Sequence, residues 1–199
     1  MPLLIAIAGL SGSGKTTLAR KLAARLECPI IALDSYYLPQ PGVPIEERAR
    51  RNYDHPDALD WPLLRTHLDA LLRAEAVDTP VYRFDLHTRA EASRRVEPYA
   101  FYVLEGILAL GRPEIRELAH LKAFVTAAPE ICLKRRIERD VLERGRTRES
   151  VMEQYNSTVW PMALEQVLPT EQYADVVVSG EGPPEESVRQ VLARIRRAG

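Results

Sequence analysis

The 199-residue sequence predicts an α/β fold built on a doubly wound, mostly parallel β-sheet. Three observations predict it. Five short apolar segments rich in branched residues recur along the chain, amphipathic segments of helical period separate them, and a glycine-rich loop follows the first segment. Strands that alternate with helices form βαβ units, whose ligands bind outside the carboxyl ends of the strands. Residues that directly follow a strand are therefore the first candidates for function.

The predicted strands are continuously apolar, which is typical of strands that are covered on both faces. They span residues 3–8, 29–33, 100–106, 121–127 and 174–179.

The predicted helices carry start and stop signals. Asp60 is an expected N-cap, and Gly145 is an expected stop signal. We expect Pro161 to kink or break the helix that contains it, because proline lacks the N–H that the helix needs. The predicted helices span residues 15–26, 61–76, 129–144, 148–167 and 183–197.

One segment departs from this alternation. Residues 79–98 are polar and alternate in character. This pattern predicts a small antiparallel hairpin that projects from the edge of the sheet.

Length and composition predict one globular domain over residues 1–199. The 27 basic and 28 acidic residues give a net charge of −1, so no global basic field exists to bind nucleic acid or an anionic membrane. The apolar start is short and lacks a positively charged region, so we expect a buried strand rather than a signal peptide. Cys28 and Cys132 lie far apart in sequence, which favours a reduced, cytoplasmic location.

Residues 9–17 read GLSGSGKTT and match the phosphate-binding pattern G-x-x-x-x-G-K-[ST] of P-loop NTPases. The loop follows a predicted strand and opens a helix, which is the context that the pattern requires. Backbone N–H groups and the helix N-terminus would surround the phosphates of ATP or GTP, and Lys15 would reach the β- and γ-phosphates. The candidate nucleotide-binding residues are Gly9, Ser11, Gly12, Ser13, Gly14, Lys15, Thr16 and Thr17.

Two carboxylates follow predicted strands and are candidate Mg²⁺ ligands together with the Thr16 hydroxyl. Glu105 ends one strand, and a salt bridge is the alternative explanation for its charge. Asp34 follows the second strand and is a candidate general base, with an N-cap role as the alternative.

Seven blocks, in order, resemble those of the uridine (uridine–cytidine) kinases, a phosphoribulokinase-like branch of P-loop kinases. The blocks are ALDSYY (32–37), NYDHPDALD (52–60), YRFDLHTR (82–89), EGILAL (105–110), RRIERDVLERGR (135–146), QYNSTVWPM (154–162) and LPTEQYADVVVSG (168–180). The resemblance covers nearly the whole chain. It implies a nucleoside-kinase-like fold with the hairpin over the acceptor site, and transfer of the γ-phosphate of ATP or GTP to the 5′-hydroxyl of uridine or cytidine in pyrimidine salvage.

The resemblance also implies residue roles. Asp34 resembles the general base, and Asp54 resembles the carboxylate that holds the ribose hydroxyls. His87 resembles the base-edge contact. Further nucleoside contacts are implied at Tyr53, where the family commonly has Phe, and at Tyr82, Phe84, Gln154 and Tyr155. The segment 129–147 resembles a lid helix, whose Arg136, Arg139 and Arg146 would hold the phosphates and the acceptor. A solvated helix face is the alternative for these arginines.

The chain departs from the family at Arg83, which replaces an acid in the hairpin, and at Leu33, where Gln is common. Arg83 leaves the base preference open between uridine, cytidine and a modified nucleoside, and it leaves open a kinase of another small acceptor, such as a sugar phosphate or pantothenate. A nucleotide-binding regulatory protein is a further alternative, against which the presence of both Asp34 and Glu105 argues. Leu33 is expected to have little effect on the chemistry. The resemblance further implies a homo-oligomer, commonly a tetramer.

Overall fold

The computed structural model describes residues 1–198, and it describes side chains for residues 1–195. Gly199, the last residue of the predicted domain, lies outside the described residues. Five parallel strands form the central sheet in the order β2-β5-β1-β6-β7. Their bounds are Leu3–Gly9 (β1), Ile30–Ala32 (β2), Phe101–Glu105 (β5), Leu121–Thr126 (β6) and Val176–Ser179 (β7). All five predicted strands are thus confirmed, as is the parallel sheet.

Successive residues of β1 point to opposite faces of the sheet, and each face packs against a separate hydrophobic core. Leu4, Ala6 and Ala8 pack into the core that holds the leucines of one helix. Ile5 and Ile7 pack into the core on the opposite face. The helices are Lys15–Leu26 (α1), Ile45–Arg50 (α2), Trp61–Leu72 (α3), Pro113–Arg116 (α4), Pro129–Arg144 (α5), Arg148–Gln154 (α6), Trp160–Met162 (α7) and Pro184–Ala198 (α8). Within the described residues, no helix combines the length and the apolar character needed to cross a lipid bilayer.

The predicted helix boundaries depend on local signals, and most of them are confirmed. The Asp60 carboxylate accepts a hydrogen bond from the Leu63 N–H at 3.2 Å and caps α3. Gly145 ends α5 in the left-handed region, with φ 63°. Helix α3 ends at Leu72, four residues before its predicted end, because Ala74 takes φ 59° and turns the chain into the hairpin.

The expected break at Pro161 is wrong. Trp160 and Met162 both keep right-handed helical dihedrals, so the chain stays helical through the proline. Wider π-helical turns flank α7 at Tyr155–Val159 and Ala163–Val167. A π turn shifts the hydrogen-bond pattern by one residue, which accommodates the carbonyl that the proline leaves without a donor.

The predicted hairpin is confirmed. Strands β3 (Val77–Arg83) and β4 (Thr88–Val96) pair antiparallel as a separate two-stranded sheet. Arg89 attaches this hairpin to the main body: its guanidinium donates to the Asp60 carboxylate at 3.1 Å and to the Tyr36 carbonyl at 2.9 Å.

Candidate active site

Three candidate segments meet at the carboxyl edge of the sheet. Ile7, Glu105 and Ala32 pair across the adjacent strands β1, β5 and β2. The phosphate loop continues from β1, and Asp34 follows β2 in a 3₁₀ turn. The strand register therefore brings the loop and both carboxylates to one edge.

Close backbone approach shapes the phosphate loop. Gly12 and Gly14 take φ values of 87° and 101°, in the region that favours glycine. A Cβ on Gly12 would lie 2.2 Å from the Cys132 carbonyl oxygen, and one on Gly9 would lie 2.5 Å from that of Val125. The loop is thus packed against the ends of β6 and α5, with Ser13 fully buried.

Lys15 is buried, with 8% of its surface exposed. Burial lowers the pKa of its ammonium, while the nearby charges of Glu105 and Asp34 raise it. The lysine is thus within electrostatic reach of both carboxylates, and a phosphate chain there would provide further negative charge.

Thr16 and Glu105 form a pair of oxygen ligands. The Thr16 hydroxyl donates to the Glu105 carboxylate at 3.2 Å. Burial raises the pKa of Glu105, although Lys15 and the Thr16 hydrogen bond act against it. Among the described residues, no group of three or more His, Cys, Asp or Glu side chains could hold a metal alone. The pair still fits Mg²⁺, which takes one or two carboxylates and completes its shell with water and substrate phosphates.

Asp34 and Asp54 both act on the Tyr37 hydroxyl. That hydroxyl donates to Asp34 Oδ1 at 3.3 Å, and the charges of both aspartates raise the pKa of Tyr37, after burial as the main cause. Burial also raises the pKa of Asp54, whereas Arg136 lowers it. The two carboxylates therefore share one half-buried polar region next to Lys15.

Aromatic rings form a wall beside Asp54. Tyr53 lies edge-on to Tyr82, Tyr82 lies edge-on to Phe84, and Tyr53 stacks on His87 with 5.8 Å between ring centroids. Burial lowers the pKa of His87, and the charges of three arginines lower it further. The imidazole therefore stays neutral near pH 7 and offers one donor and one acceptor.

Arg83 does not contribute its charge to this wall. Tyr82 is buried, whereas Arg83 points to solvent and donates to the Asp85 carboxylate at 2.9 and 2.6 Å. Neighbouring residues of a strand face opposite sides, so the residue between two wall residues faces away from them. Leu33 is fully buried and packs against Gly106, where a Cβ would come within 2.5 Å of its side chain.

Asp140 holds four arginines together. Its carboxylate is fully buried and lies 2.8 Å from Arg139, 3.4 Å from Arg144, 3.7 Å from Arg136 and 3.9 Å from Arg146. The arginines of α5 are thus not a solvated helix face. They form one cationic cluster, with a carboxylate at its centre.

This cluster touches both halves of the site. Arg139 donates to the Ser11 hydroxyl of the phosphate loop at 3.4 Å. Arg144 lies over the Phe84 ring, 4.6 Å from its centroid. The same helix therefore contacts the phosphate loop and the hairpin tip.

Gln154 and Tyr155 lie beside this cluster. The side-chain oxygen of Gln154 accepts hydrogen bonds from Arg136 and Arg146, so the arginines already occupy that oxygen. Tyr155 stacks on Trp160, and it lines a small cavity of about 20 Å³ with Asp54 and Ile107. Tyr155 and Asp54 thus share a cavity, whereas Gln154 orients arginines.

A second cavity lies beside the phosphate loop. It has about 360 Å³, and its lining includes Gly14, Thr17, Arg135 and five residues between 179 and 187. Arg135 donates to the Gly12 and Gly180 carbonyls at 3.3 and 2.9 Å and closes one wall. The phosphate loop thus borders this cavity through Gly14.

Sequence reasoning missed several residues of this site. No motif in the sequence predicts a role for Tyr37, Asp140 or Arg135. Gly180 is also missed, although a Cβ there would lie 1.7 Å from the Ser13 carbonyl oxygen. The sequence holds no distinct signal for Asp140, because three glutamates also lie among the arginines of α5.

Comparisons with known proteins agree with this geometry. The model of the Phosphoribulokinase / Uridine kinase family matches residues 4–183. A uridine kinase of Deinococcus deserti is 46% identical over 198 residues, covering 98% of this chain and 96% of the relative. A uridine kinase of Chloroflexus aggregans is 45% identical over 99% of this chain and 96% of its own length.

Solved structures share the fold. The phosphoribulokinase from Rhodobacter spheroides superposes with a TM-score of 0.64 and 16% identity, over 92% of this chain and 73% of that one. At that identity the likeness concerns the fold alone.

Proposed function

Because this chain belongs to the phosphoribulokinase / uridine kinase family, we propose that it transfers the γ-phosphate of ATP or GTP to the 5′-hydroxyl of uridine or cytidine. The products are UMP or CMP and the nucleoside diphosphate, as in pyrimidine salvage. The observation that carries the proposal is Asp34, which accepts a hydrogen bond from the Tyr37 hydroxyl at the same carboxyl edge of the sheet that holds the phosphate loop with its buried Lys15.

On the donor side, the phosphate loop and Lys15 hold the triphosphate. Thr16 and Glu105, together with Asp34, would hold Mg²⁺, which would supply positive charge against that of the phosphates. The cavity of about 360 Å³ next to Thr17 receives the purine of the donor. Its lining includes the glycines and serines of residues 179–187, which favours recognition by shape and leaves ATP and GTP both acceptable.

On the acceptor side, Asp54 accepts hydrogen bonds from the ribose 2′- and 3′-hydroxyls. The rings of Tyr53, Tyr82 and Phe84 pack beside the pyrimidine, and the neutral imidazole of His87 contacts the base edge. Burial keeps the imidazole neutral, so one nitrogen donates and the other accepts. This combination suits a nucleoside better than a sugar phosphate, because Asp54 would repel a second phosphate.

The transfer step needs a base, an in-line geometry and a cationic environment. Asp34 accepts the proton of the 5′-hydroxyl while the 5′-oxygen of the nucleoside forms a bond to the γ-phosphorus. The bond from that phosphorus to the β,γ-bridging oxygen breaks, and the electron pair leaves with the diphosphate. Tyr37 orients the Asp34 carboxylate, and Arg136, Arg139 and Arg146 stabilise the charge on the transferred group.

Arg83 had left another acceptor open, but its side chain faces away from the aromatic wall. Asp34 and Glu105 also argue against a purely regulatory nucleotide-binding protein, because such a protein needs no general base beside the phosphate loop.

A panel of acceptors tests the proposal. Purified protein with Mg·ATP or Mg·GTP is given uridine, cytidine, pantothenate or a sugar phosphate, and nucleoside diphosphate formation and the phosphorylated product are measured. We expect UMP, CMP or both. Turnover with pantothenate or a sugar phosphate and none with a nucleoside would refute the proposal.

We also propose that the chain assembles as a homotetramer in the cytoplasm. The support is the family membership, together with large apolar side chains that are exposed in the isolated chain, such as Leu142, which is 84% exposed. Sedimentation equilibrium of the purified protein measures the assembly state, and a monomer at micromolar concentration would contradict the proposal.

A further inference from the structure

The tip of the hairpin has a backbone conformation that needs external support. Residues 84–87 form a four-residue loop between the paired Arg83 and Thr88. His87 ends this loop with φ 48°, in the left-handed region. Residues with a side chain populate that region sparsely, so neighbouring groups must hold it in place.

Side chains of a neighbouring segment donate hydrogen bonds to the last two carbonyl groups of this loop, those of Leu86 and His87. Arg48 Nη1 donates to the Leu86 carbonyl at 3.2 Å. The Tyr53 hydroxyl donates to the His87 carbonyl at 3.4 Å. Gln40, which is buried, donates its amide to that same hydroxyl at 2.9 Å. We call Gln40, Arg48 and Tyr53 the clasp.

Tyr53 acts on His87 in two ways. Its ring stacks on the imidazole with an interplanar angle of 21°, and its hydroxyl contacts the carbonyl of the same residue. Gln40 leaves the hydroxyl proton free to point at that carbonyl, because an amide N–H only donates. The backbone and the ring of His87 are therefore both set by one tyrosine.

From this geometry we infer that Tyr53, through its hydroxyl, is a specificity-positioning residue that holds the His87 imidazole at the edge of the acceptor base. The inference rests on the proposed function for the identity of the acceptor. A phenylalanine at position 53 would supply the ring but not the hydroxyl, so the Tyr53→Phe variant isolates the contribution of the hydroxyl.

The clasp acts on nucleoside binding and not on phosphate transfer. His87 belongs to the hairpin loop, whereas Lys15 belongs to the phosphate loop and Asp34 to the turn after β2. A contact made equally in the ground state and the transition state changes KM and leaves kcat unchanged. Loss of the hydroxyl is therefore expected to raise the KM for the nucleoside alone.

The test compares Tyr53→Phe, His87→Gly and the double variant with a matched control. Glycine adopts the φ of residue 87 without strain. The control is Tyr99→Phe. Tyr99 is exposed and precedes β5, so it lies at the amino ends of the strands, whereas the candidate site lies at their carboxyl ends. For each protein, kcat and KM are measured with uridine, cytidine and ATP.

We expect Tyr53→Phe to raise the KM for the nucleosides by about two- to tenfold, the range for one net hydrogen bond. The kcat and the KM for ATP should stay within about twofold of the wild type, as for loss of uniform binding. In the His87→Gly background the same substitution should have no further effect, because the hydroxyl acts through the imidazole. An equal effect in that background, or an unchanged KM in Tyr53→Phe, would overturn the inference.

Hydrogen exchange supplies a readout that does not depend on activity. The amides of residues 84–88 should exchange faster in Tyr53→Phe than in Tyr99→Phe, and unchanged exchange would overturn the clasp. Faster exchange in a protein that phosphorylates no nucleoside would refute the proposed function instead, while leaving the positioning of His87 intact.

Discussion

Replacing Asp140 by asparagine tests the cationic cluster most directly. Asp140→Asn keeps the shape of the side chain and one acceptor oxygen but removes the negative charge. The local charge of Asp140 and its four arginines changes from +3 to +4 (four guanidinium groups, one carboxylate removed). All four guanidinium groups lose their common anion in a fully buried position.

The expected cost follows from that burial. Removing one partner of a buried ion pair costs about 3–5 kcal/mol, because the remaining charge stays desolvated. Asparagine still accepts from Arg139, which donates to Asp140 Oδ1 at 2.9 Å, so we expect the lower end of this range. For a chain of this size, about 3 kcal/mol corresponds to a fall in Tm of about 6–12 °C.

Urea denaturation of the free protein measures this loss, and steady-state kinetics measure its effect on transfer. The matched control is Glu143→Gln, which removes an exposed carboxylate from the same helix. We also expect kcat to fall about tenfold or more, since the arginines that stabilise the transferred group lose their anchor. A free energy of unfolding within about 1 kcal/mol of the control, a difference smaller than any buried-pair loss, would refute the reasoning.

Three further predictions concern the proposed roles of single residues. Asp34→Asn should lower kcat by a factor of about 10² or more with ATP affinity nearly unchanged, as measured by isothermal titration; a comparable loss of ATP affinity would mean that Asp34 acts on the metal or the fold. Burial raises the pKa of Asp54, and only its ionised form accepts hydrogen bonds from both ribose hydroxyls. The KM for the nucleoside should therefore rise as pH falls, beginning above the usual aspartate range, and a flat KM through that range would contradict the role. Gly180→Ala should abolish tight ATP binding, because its Cβ would meet the Ser13 carbonyl at 1.7 Å, whereas Gly182→Ala, with open space around it, should bind ATP normally.

Local patterns predicted most of the fold. The apolar segments gave the five strands, the capping residues Asp60 and Gly145 marked helix ends, and the polar alternation of 79–98 indicated the hairpin. Each of these signals depends on residues that are close in sequence. The chain does not break at Pro161 because π-helical turns on both sides absorb the missing hydrogen bond, which a local rule for proline does not anticipate.

The candidate site was predictable where a motif carries the chemistry. The phosphate loop, Asp34 and Glu105 follow strands, and parallel strands end at the same edge of a sheet, so their proximity could be expected. The roles assigned to Asp54 and His87 came from resemblance, and they stay predictions until the variants are measured.

The sequence by itself determined the class of sheet, the position of the phosphate loop and the family. The tertiary structure alone decided which side chains meet: that Asp140 gathers four arginines, that the Tyr37 hydroxyl donates to Asp34, and that Arg83 faces solvent. The physical reason is that strand and helix patterns arise from neighbours along the chain. Ion pairs, hydroxyl contacts and close backbone approaches form instead between segments that only folding brings together.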